Sequence, residues 1–597
     1  MKLLDLDGVI EKGVFEIPSY QRGYAWQEEQ LKDFWNDLEH VSKLGDKFHY
    51  MHSLTLRGLE NELEDSAFEI IDGQQRLATS LILLGLLAKI TQNKDPKYDS
   101  MNLEPVLSYK YYGLSEAFRA IMEEEKDLEI FQTSFYAKNL IDAYAFFKEK
   151  ISNTPVGTLE KMFDALIKKM LFSVVGLNDN RIDPFSSFET INNRGKDLST
   201  LELLKNRLHF VAHKICDEED LENLQQEIND TYTIIYHDLR QFEDAHLESF
   251  LKHFVAYYYG ENSKFKERLL NTAFDAHKKY DDLYDEYEKI DDLLFYLSYS
   301  SKVWHFLHTL DDEELRIEIT PKMRDLLDKM WRLNALSENA FLPLLLSLLT
   351  IQLAVRSGSE RHYTTKELED LLEYLERFGF LIYGVAGNKD TAKNGWIRLA
   401  FKAIQACRFW RDKITIEDLP TLEKNFFKGE HSGLELLEES IHSKKNTEKW
   451  YQWGKALNYL LYEYELHHNP ETTLNFDSSI ESIDHILPQK PDQGYSAKEK
   501  SWAKNPHIVH ALGNLLLISK NANSSLSNKP FDEKRKAYLK GSYSEKEVAK
   551  NASFGIVEIQ ERSEKLLDFL IARYRIAELV GENAIKAFKN ALLKEIK

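Results

Sequence analysis

Residues 482–489 read Ser-Ile-Asp-His-Ile-Leu-Pro-Gln, residues 512–519 read Leu-Gly-Asn-Leu-Leu-Leu-Ile-Ser, and Asn523 stands nine positions after Asn514. Residues 482–487 and 513–519 are short apolar runs with β-branched residues, and both predict strands. A polar loop separates them. An Asn/Ser-rich turn follows the second, and Pro530 opens a charged helix to about Lys540, where proline's missing N–H has no helical partner to lose. The order is strand, loop, strand, helix.

These side chains suit one kind of chemistry. Phosphodiester hydrolysis needs a base to activate water and a cation to stabilise the leaving oxygen. A neutral His485 imidazole can take the proton. The Asp484 carboxylate and the Asn523 amide oxygen suit Mg²⁺ or Mn²⁺, which prefer oxygen ligands and retain several waters. Successive strand residues face opposite ways, so Asp484 and His485 can serve one site only if the strand ends or twists there. Pro488 is consistent with that ending. Taken singly, an Asp-His pair also reads as a surface hydrogen bond, and an Asn-rich segment as a turn.

The surroundings of this segment differ from the rest of the chain. The 597 residues contain 77 Lys+Arg and 98 Asp+Glu, a net charge of −21, which excludes a general polyanion binder. From Ser482 to Gly541, however, ten Lys/Arg stand against five Asp/Glu. That local +5 fits contact with DNA phosphate, and equally an ordinary solvated surface. Only Cys216 and Cys407 are present, with no zinc spacing, which points to a reduced cytoplasmic protein. No signal peptide is visible at the N-terminus. The longest apolar runs, Leu77–Ile90 and Ala340–Val355, are too short to cross a membrane and predict buried helices.

The length suggests several domains. Few prolines and glycines, with long apolar periodicity, predict a predominantly helical α+β protein. Residues 1–210 are mixed, with strands expected at Val14–Ile17, Tyr50–Arg57, Ala67–Ile71 and Leu171–Leu177. Leu31, Phe34, Trp35, Leu38 and Val41 mark one face of a helix. Residues 211–440 look almost wholly helical, without a repeat or a chemical motif. Residues 441–597 form a helical domain holding the strand–strand–helix unit.

The N-terminal third carries its own motifs. Phe15-Glu-Ile-Pro-Ser-Tyr-Gln-Arg-Gly-Tyr-Ala-Trp26 is followed by Ile-Ile-Asp-Gly-Gln-Gln-Arg at 70–76 and by Phe188-Glu-Thr-Ile-Asn-Asn-Arg-Gly195. Ser199 and Glu202 then form a capping-box pattern. Asp72 and Gly73 lie between an apolar strand and an apolar helix, so backbone N–H groups and the helix dipole could receive an anion there. Arg76 and Arg22 could add charge-assisted contacts to phosphate, and Asp72 could hold magnesium or orient water. The same residues also read as a plain turn beside core aromatics Tyr20, Tyr24 and Trp26. No Walker-type lysine motif is present.

The C-terminal motifs resemble the HNH nuclease family, in which Asp484 matches the metal-ligand carboxylate, His485 the general base, Asn514 the loop brace and Asn523 the last ligand. The run from Ala511 to Phe531 is similar to the C-terminal nuclease domain of GmrSD-type restriction enzymes, and would put Lys529, Lys534, Arg535 and Lys536 near DNA phosphate. HNH relatives often carry a four-cysteine structural zinc that this chain cannot form. The N-terminal motifs resemble the GmrS half of those enzymes, also found in BrxU and SspE, which implies a ParB-like nucleotide-hydrolysing fold. By that likeness Asp72, Gly73, Gln74, Gln75 and Arg76 are nucleotide-site candidates, supported by Tyr20, Gln21 and Arg22 and, more distantly, by Asn192, Asn193 and Arg194. The resemblance implies a modification-dependent, type IV-like restriction enzyme whose HNH site cuts modified phage DNA under the control of a nucleoside triphosphate. Two alternatives stay open: a nucleotide- or DNA-sensing switch without turnover coupled to a nicking nuclease, and an unregulated nicking nuclease. Oligomeric state, a homo-oligomer included, is also open.

Overall fold

The computed structural model describes residues 2–58, 67–91, 95–110, 113–177, 198–242, 244–261, 264–275, 278, 280, 283–311, 315, 317–355, 362–409, 411–472, 474, 481–491 and 494–597. The described chain is mainly helical, with one six-stranded sheet and two small two-stranded ladders. It divides into two compact units, residues 1–315 and 316–597.

The first unit is built on a mixed sheet of β1 (Lys2–Asp5), β2 (Val14–Ile17), β3 (His49–Gly58), β4 (Ala67–Asp72), β5 (Leu107–Tyr109) and β6 (Met170–Gly176). The spatial order is β1-β6-β3-β4-β2-β5. β1 runs antiparallel to β6, and β4 antiparallel to β3, while the other neighbours are parallel. The four expected strands are all present. α1 (Leu6–Ile10) follows the first edge strand.

α2 (Glu28–Lys43) buries Leu31, Phe34, Trp35, Leu38 and Val41, the stripe read from the sequence. Its entry is fixed by Gln30, whose side chain accepts from the Gln27 N–H at 3.0 Å. α3 (Gln74–Ile90) is buried almost all round, as a helix without a polar face must be in a globular core. No helix among the described residues is long and apolar enough to cross a membrane. The capping box at Ser199 opens the helix Thr200–Ile215, with the Glu202 carboxylate accepting from the Ser199 N–H at 2.7 Å. Helices Glu218–Asp238, Asp244–Tyr259 and Leu283–Thr309 complete this unit around Tyr257, Phe250 and Trp304.

The second unit is helical. Leu342–Ala354 is its most apolar helix, close to the expected Ala340–Val355. Two buried carboxylates, Glu376 and Glu463, share the Arg573 guanidinium at 3.2 Å each, which offsets the desolvation of their charges. A short hairpin, β7 (Phe427–Lys428) with β8 (His431–Ser432), lies apart from the final ladder of β9 (Glu481–His485) and β10 (Leu515–Ser519). β9 and β10 are antiparallel, with Asp484 opposite Leu516 and His485 opposite Leu515. β10 is buried on both faces, which its unbroken Leu-Leu-Leu-Ile run accommodates. Helices Lys520–Leu526 and Phe531–Tyr538 follow it.

Candidate active site

β9 ends at His485, so Asp484 and His485 are its last two residues. Both line one cleft of about 300 Å³, together with Asn523, Tyr451, Pro488, Gln489 and Lys490. The requirement that the strand end at this pair is therefore met. Asn523 reaches the cleft from the helix Lys520–Leu526, where its Nδ2 donates to Ser482 Oγ at 2.9 Å and to the Ile483 carbonyl at 3.2 Å. Those bonds orient the amide and leave Oδ1 as its acceptor.

Asp484 is buried. Its carboxylate accepts from Lys534 Nζ at 2.7 and 2.9 Å and from the Tyr538 hydroxyl. Lys534 and Tyr538 are four residues apart and so share one face of their helix. Lys534 Nζ also donates to the His485 carbonyl at 2.7 Å, clamping the end of β9. Burial pushes the Asp484 carboxyl upward, and the Lys534 ammonium opposes that shift. The carboxylate is thus held from several sides by the protein, and with Asn523 Oδ1 it offers the oxygen donors that a hard divalent cation prefers. No group of three or more His, Cys, Asp or Glu suited to a metal occurs among the described residues.

Lys534 was expected to face DNA phosphate, but its side chain is fully buried against Asp484 and cannot reach a phosphate. Arg535 is half-buried, and its Nε donates to the Ala549 carbonyl at 2.8 Å. Lys529 and Lys536 are exposed. Lys490, which the sequence reading passed over, is exposed at the rim of the cleft.

His485 is buried beside Tyr451 and His510, with ring centroids at 4.9 and 5.0 Å. Burial, then the neighbouring His510 and Lys534, push its pKa down to about 3. The ring is therefore neutral near pH 7, with a lone pair available. Asn514 does not line the cleft. It is fully buried, its Oδ1 accepts from the Leu487 N–H at 2.7 Å, and its Nδ2 donates to the Leu487 and Val509 carbonyls at 2.9 and 2.7 Å. His510, Tyr538 and Tyr451 went unnoticed in the sequence because they lie tens of residues from the Asp-His pair and carry no local pattern.

In the first unit, β4 runs through Gly73 into α3, as expected. Gly73 has φ +101°, and a Cβ there would sit 2.9 Å from the Ser53 carbonyl oxygen, so glycine is required. Asp72 accepts from Ser53 Oγ at 2.7 Å and pairs with Arg76 at 3.2 Å, while Arg76 also donates to the Met51 carbonyl at 2.8 Å. Gln75 is spent on the preceding loop: its Oε1 accepts from the Ala25 N–H and its Nε2 donates to the Gly23 carbonyl, both at 2.8 Å. Gln21 donates to the Ile70 carbonyl. Tyr20 and Gln74 are buried.

A cavity of about 910 Å³ in the same unit is lined by Arg22, Lys138, Arg240 and Lys266, with Glu202 and Glu248. Among the described residues, Arg22 is the one expected nucleotide-site residue on its wall. Asp72, Gly73, Gln74, Gln75 and Arg76 gather instead at the head of α3. Asn192, Asn193 and Arg194 lie outside the described residues.

Two family models match the chain. Residues 3–209 match the GmrSD restriction endonuclease, N-terminal domain, and residues 437–569 match the GmrSD restriction endonucleases, C-terminal domain. Together they cover more than half of the 597 residues. No curated protein matches it.

Proposed function

The chain belongs to the GmrSD restriction endonuclease family, and on that premise we propose that it is a type IV-like, modification-dependent restriction endonuclease of anti-phage defence, gated by a nucleoside triphosphate in its N-terminal domain. The observation that carries the nuclease reading is the convergence of Asp484, His485 and Asn523 on one cleft. Asp-His at the end of one strand, with the asparagine on the helix after the next, supports reading this unit as a ββα-metal (HNH) finger.

His485 takes the proton of the attacking water. It is neutral at physiological pH, and an approaching phosphate anion raises its proton affinity toward the range where a base is effective. Asp484 and the Oδ1 of Asn523 would hold Mg²⁺ or Mn²⁺, which when bound stabilises charge on the leaving oxygen. Lys534 and Tyr538 hold Asp484 in one orientation, and Lys490 at the rim meets the DNA backbone.

The gating reading is supported by the glycine turn at the head of α3 and by Arg22, Lys138 and Arg240 on the wall of the large cavity, which can meet a polyphosphate beside Glu202 and Glu248. A second reading, nucleotide binding without turnover, is favoured by one observation. Gln75 and Asp72, the groups best suited to position water, are already engaged with the protein.

The test is cleavage of plain and modified phage DNA with Mg²⁺ or Mn²⁺, with and without each triphosphate. Modified DNA is cut, and a triphosphate changes the rate. His485→Ala loses cutting while triphosphate binding persists. Metal-dependent cutting by His485→Ala would remove the nuclease assignment, and wild-type protein that binds no triphosphate would remove the gate.

A further inference from the structure

His485 does not stand alone in the cleft. Its Nε2 lies 3.0 Å from Nδ1 of His510, and both rings are buried. Two neutral imidazoles at that distance share one proton-bearing nitrogen, so one ring donates and the other accepts. If His510 donated, His485 would carry its proton on Nδ1 and have no lone pair left for water. The amide nitrogen of Gln489 lies 3.3 Å from His485 Nδ1 and 3.4 Å from Nε2, so it does not choose between them. The choice follows from the role of the ring: Nε2 is taken up by His510, so a base at this position needs its lone pair on Nδ1, with the proton on Nε2 and Nε2–H donating to His510.

The backbone holds this pair in register. His510 follows the short helix Pro506–Val509, and its N–H donates to the Pro506 carbonyl at 3.1 Å. Asn514 bonds Leu487, two residues after His485, and Val509, the residue before His510. One buried amide thus ties together the two loops that carry the two rings. Tyr451 packs on both, with centroids at 4.9 Å from His485 and 5.9 Å from His510.

Building on the nuclease assignment, we propose that His510 is a positioning residue for His485: by accepting a hydrogen bond from Nε2–H it fixes the tautomer in which Nδ1 faces the cleft as the base. When Nδ1 takes the proton of water, the imidazolium keeps both N–H groups and His510 remains an acceptor for its charge.

The experiment compares His510→Leu, which fills the space without an acceptor, with His510→Asn, whose Oδ1 falls near the position of the imidazole Nδ1. Steady-state cleavage of the modified phage DNA that the wild-type protein cuts gives kcat and KM. His510→Leu loses about 10- to 100-fold in kcat, the size typical of removing a residue that orients a site imidazole, with KM unchanged. His510→Asn recovers most of that loss. The double variant His485→Ala/His510→Leu is no slower than His485→Ala, because the second residue acts through the first.

Wild-type cutting by His510→Leu, or equal losses in the Leu and Asn variants, overturns the pairing while leaving the nuclease assignment intact if His485→Ala is inactive. Cutting by His485→Ala overturns both. If His510→Leu does not fold, a long-range ¹H–¹⁵N spectrum of histidine-labelled wild-type protein decides, with His485→Ala giving the assignment. A protonated Nε2 on His485 supports the pairing, and a protonated Nδ1 overturns it.

Discussion

Lys534 illustrates how much of the site depends on one side chain. A lysine ammonium with no exposed surface is stable only where its charge is matched. Here it meets both oxygens of Asp484 and the His485 carbonyl. It therefore joins the two residues proposed for metal binding and base catalysis at the end of one strand. Removing it leaves a buried carboxylate without its counter-charge. Breaking a buried pair from one side costs about 3–5 kcal/mol. Lys534→Met should accordingly lower the urea midpoint of the second unit and abolish cutting. Lys534→Met combined with Asp484→Asn should recover part of the stability and none of the cutting. A single variant as stable as the wild type would show that Asp484 is held by something other than this pair.

At the level of elements, the turn before β10 shows where the sequence was readable and where it was not. The apolar run 513–519 predicts a strand from Gly513, but the strand begins at Leu515. Residues 512–514 turn first, because the helix Ile556–Arg573 presses against them. The Gly513 N–H donates to Ser563 Oγ at 2.8 Å, and Arg562 donates to the Gly513 and Leu515 carbonyls at 2.8 Å each. A Cβ on Gly513 would lie 2.0 Å from the Ile559 carbonyl oxygen, so the helix would have to retreat. Gly513→Ala should unfold at lower temperature by circular dichroism and cut DNA poorly. A normal melting curve would mean that the helix contact is slack.

The same contrast runs through the first unit. β2, β3, β4 and β6 were legible from alternation and β-branching. β1 and β5 were not, because short edge strands such as Lys2–Asp5 and Leu107–Tyr109 are made by their neighbours in the sheet rather than by local pattern. Asp484, His485 and Asn523 were legible because the motif is short and ordered. Lys534, Tyr538 and His510 meet the motif only through the fold, across 50, 54 and 25 residues.

Over the whole molecule, charge sets how DNA can be engaged. A chain of net charge −21 repels a polyanion at long range, yet the segment carrying the cleft is locally positive. Phosphate contacts must therefore come from a few lysines, each of which releases counterions when it binds. Lys490 at the cleft rim and Lys529, next to the cleft residue Asn528, are exposed and suitably placed. Lys534 belongs to the same basic segment by sequence but is sealed inside. Binding of a nuclease-inactive His485→Ala protein to DNA, measured against salt, separates these roles. Adding Lys490→Ala or Lys529→Ala should each reduce the slope of log affinity against log salt by about 1, the loss of one phosphate contact. Adding Lys534→Met should leave the slope unchanged, since that ammonium never meets a phosphate. A flatter slope on loss of Lys534 would mean that the helix Phe531–Tyr538 swings outward on DNA. An unchanged slope for Lys490 and Lys529 would move the DNA path away from the cleft altogether.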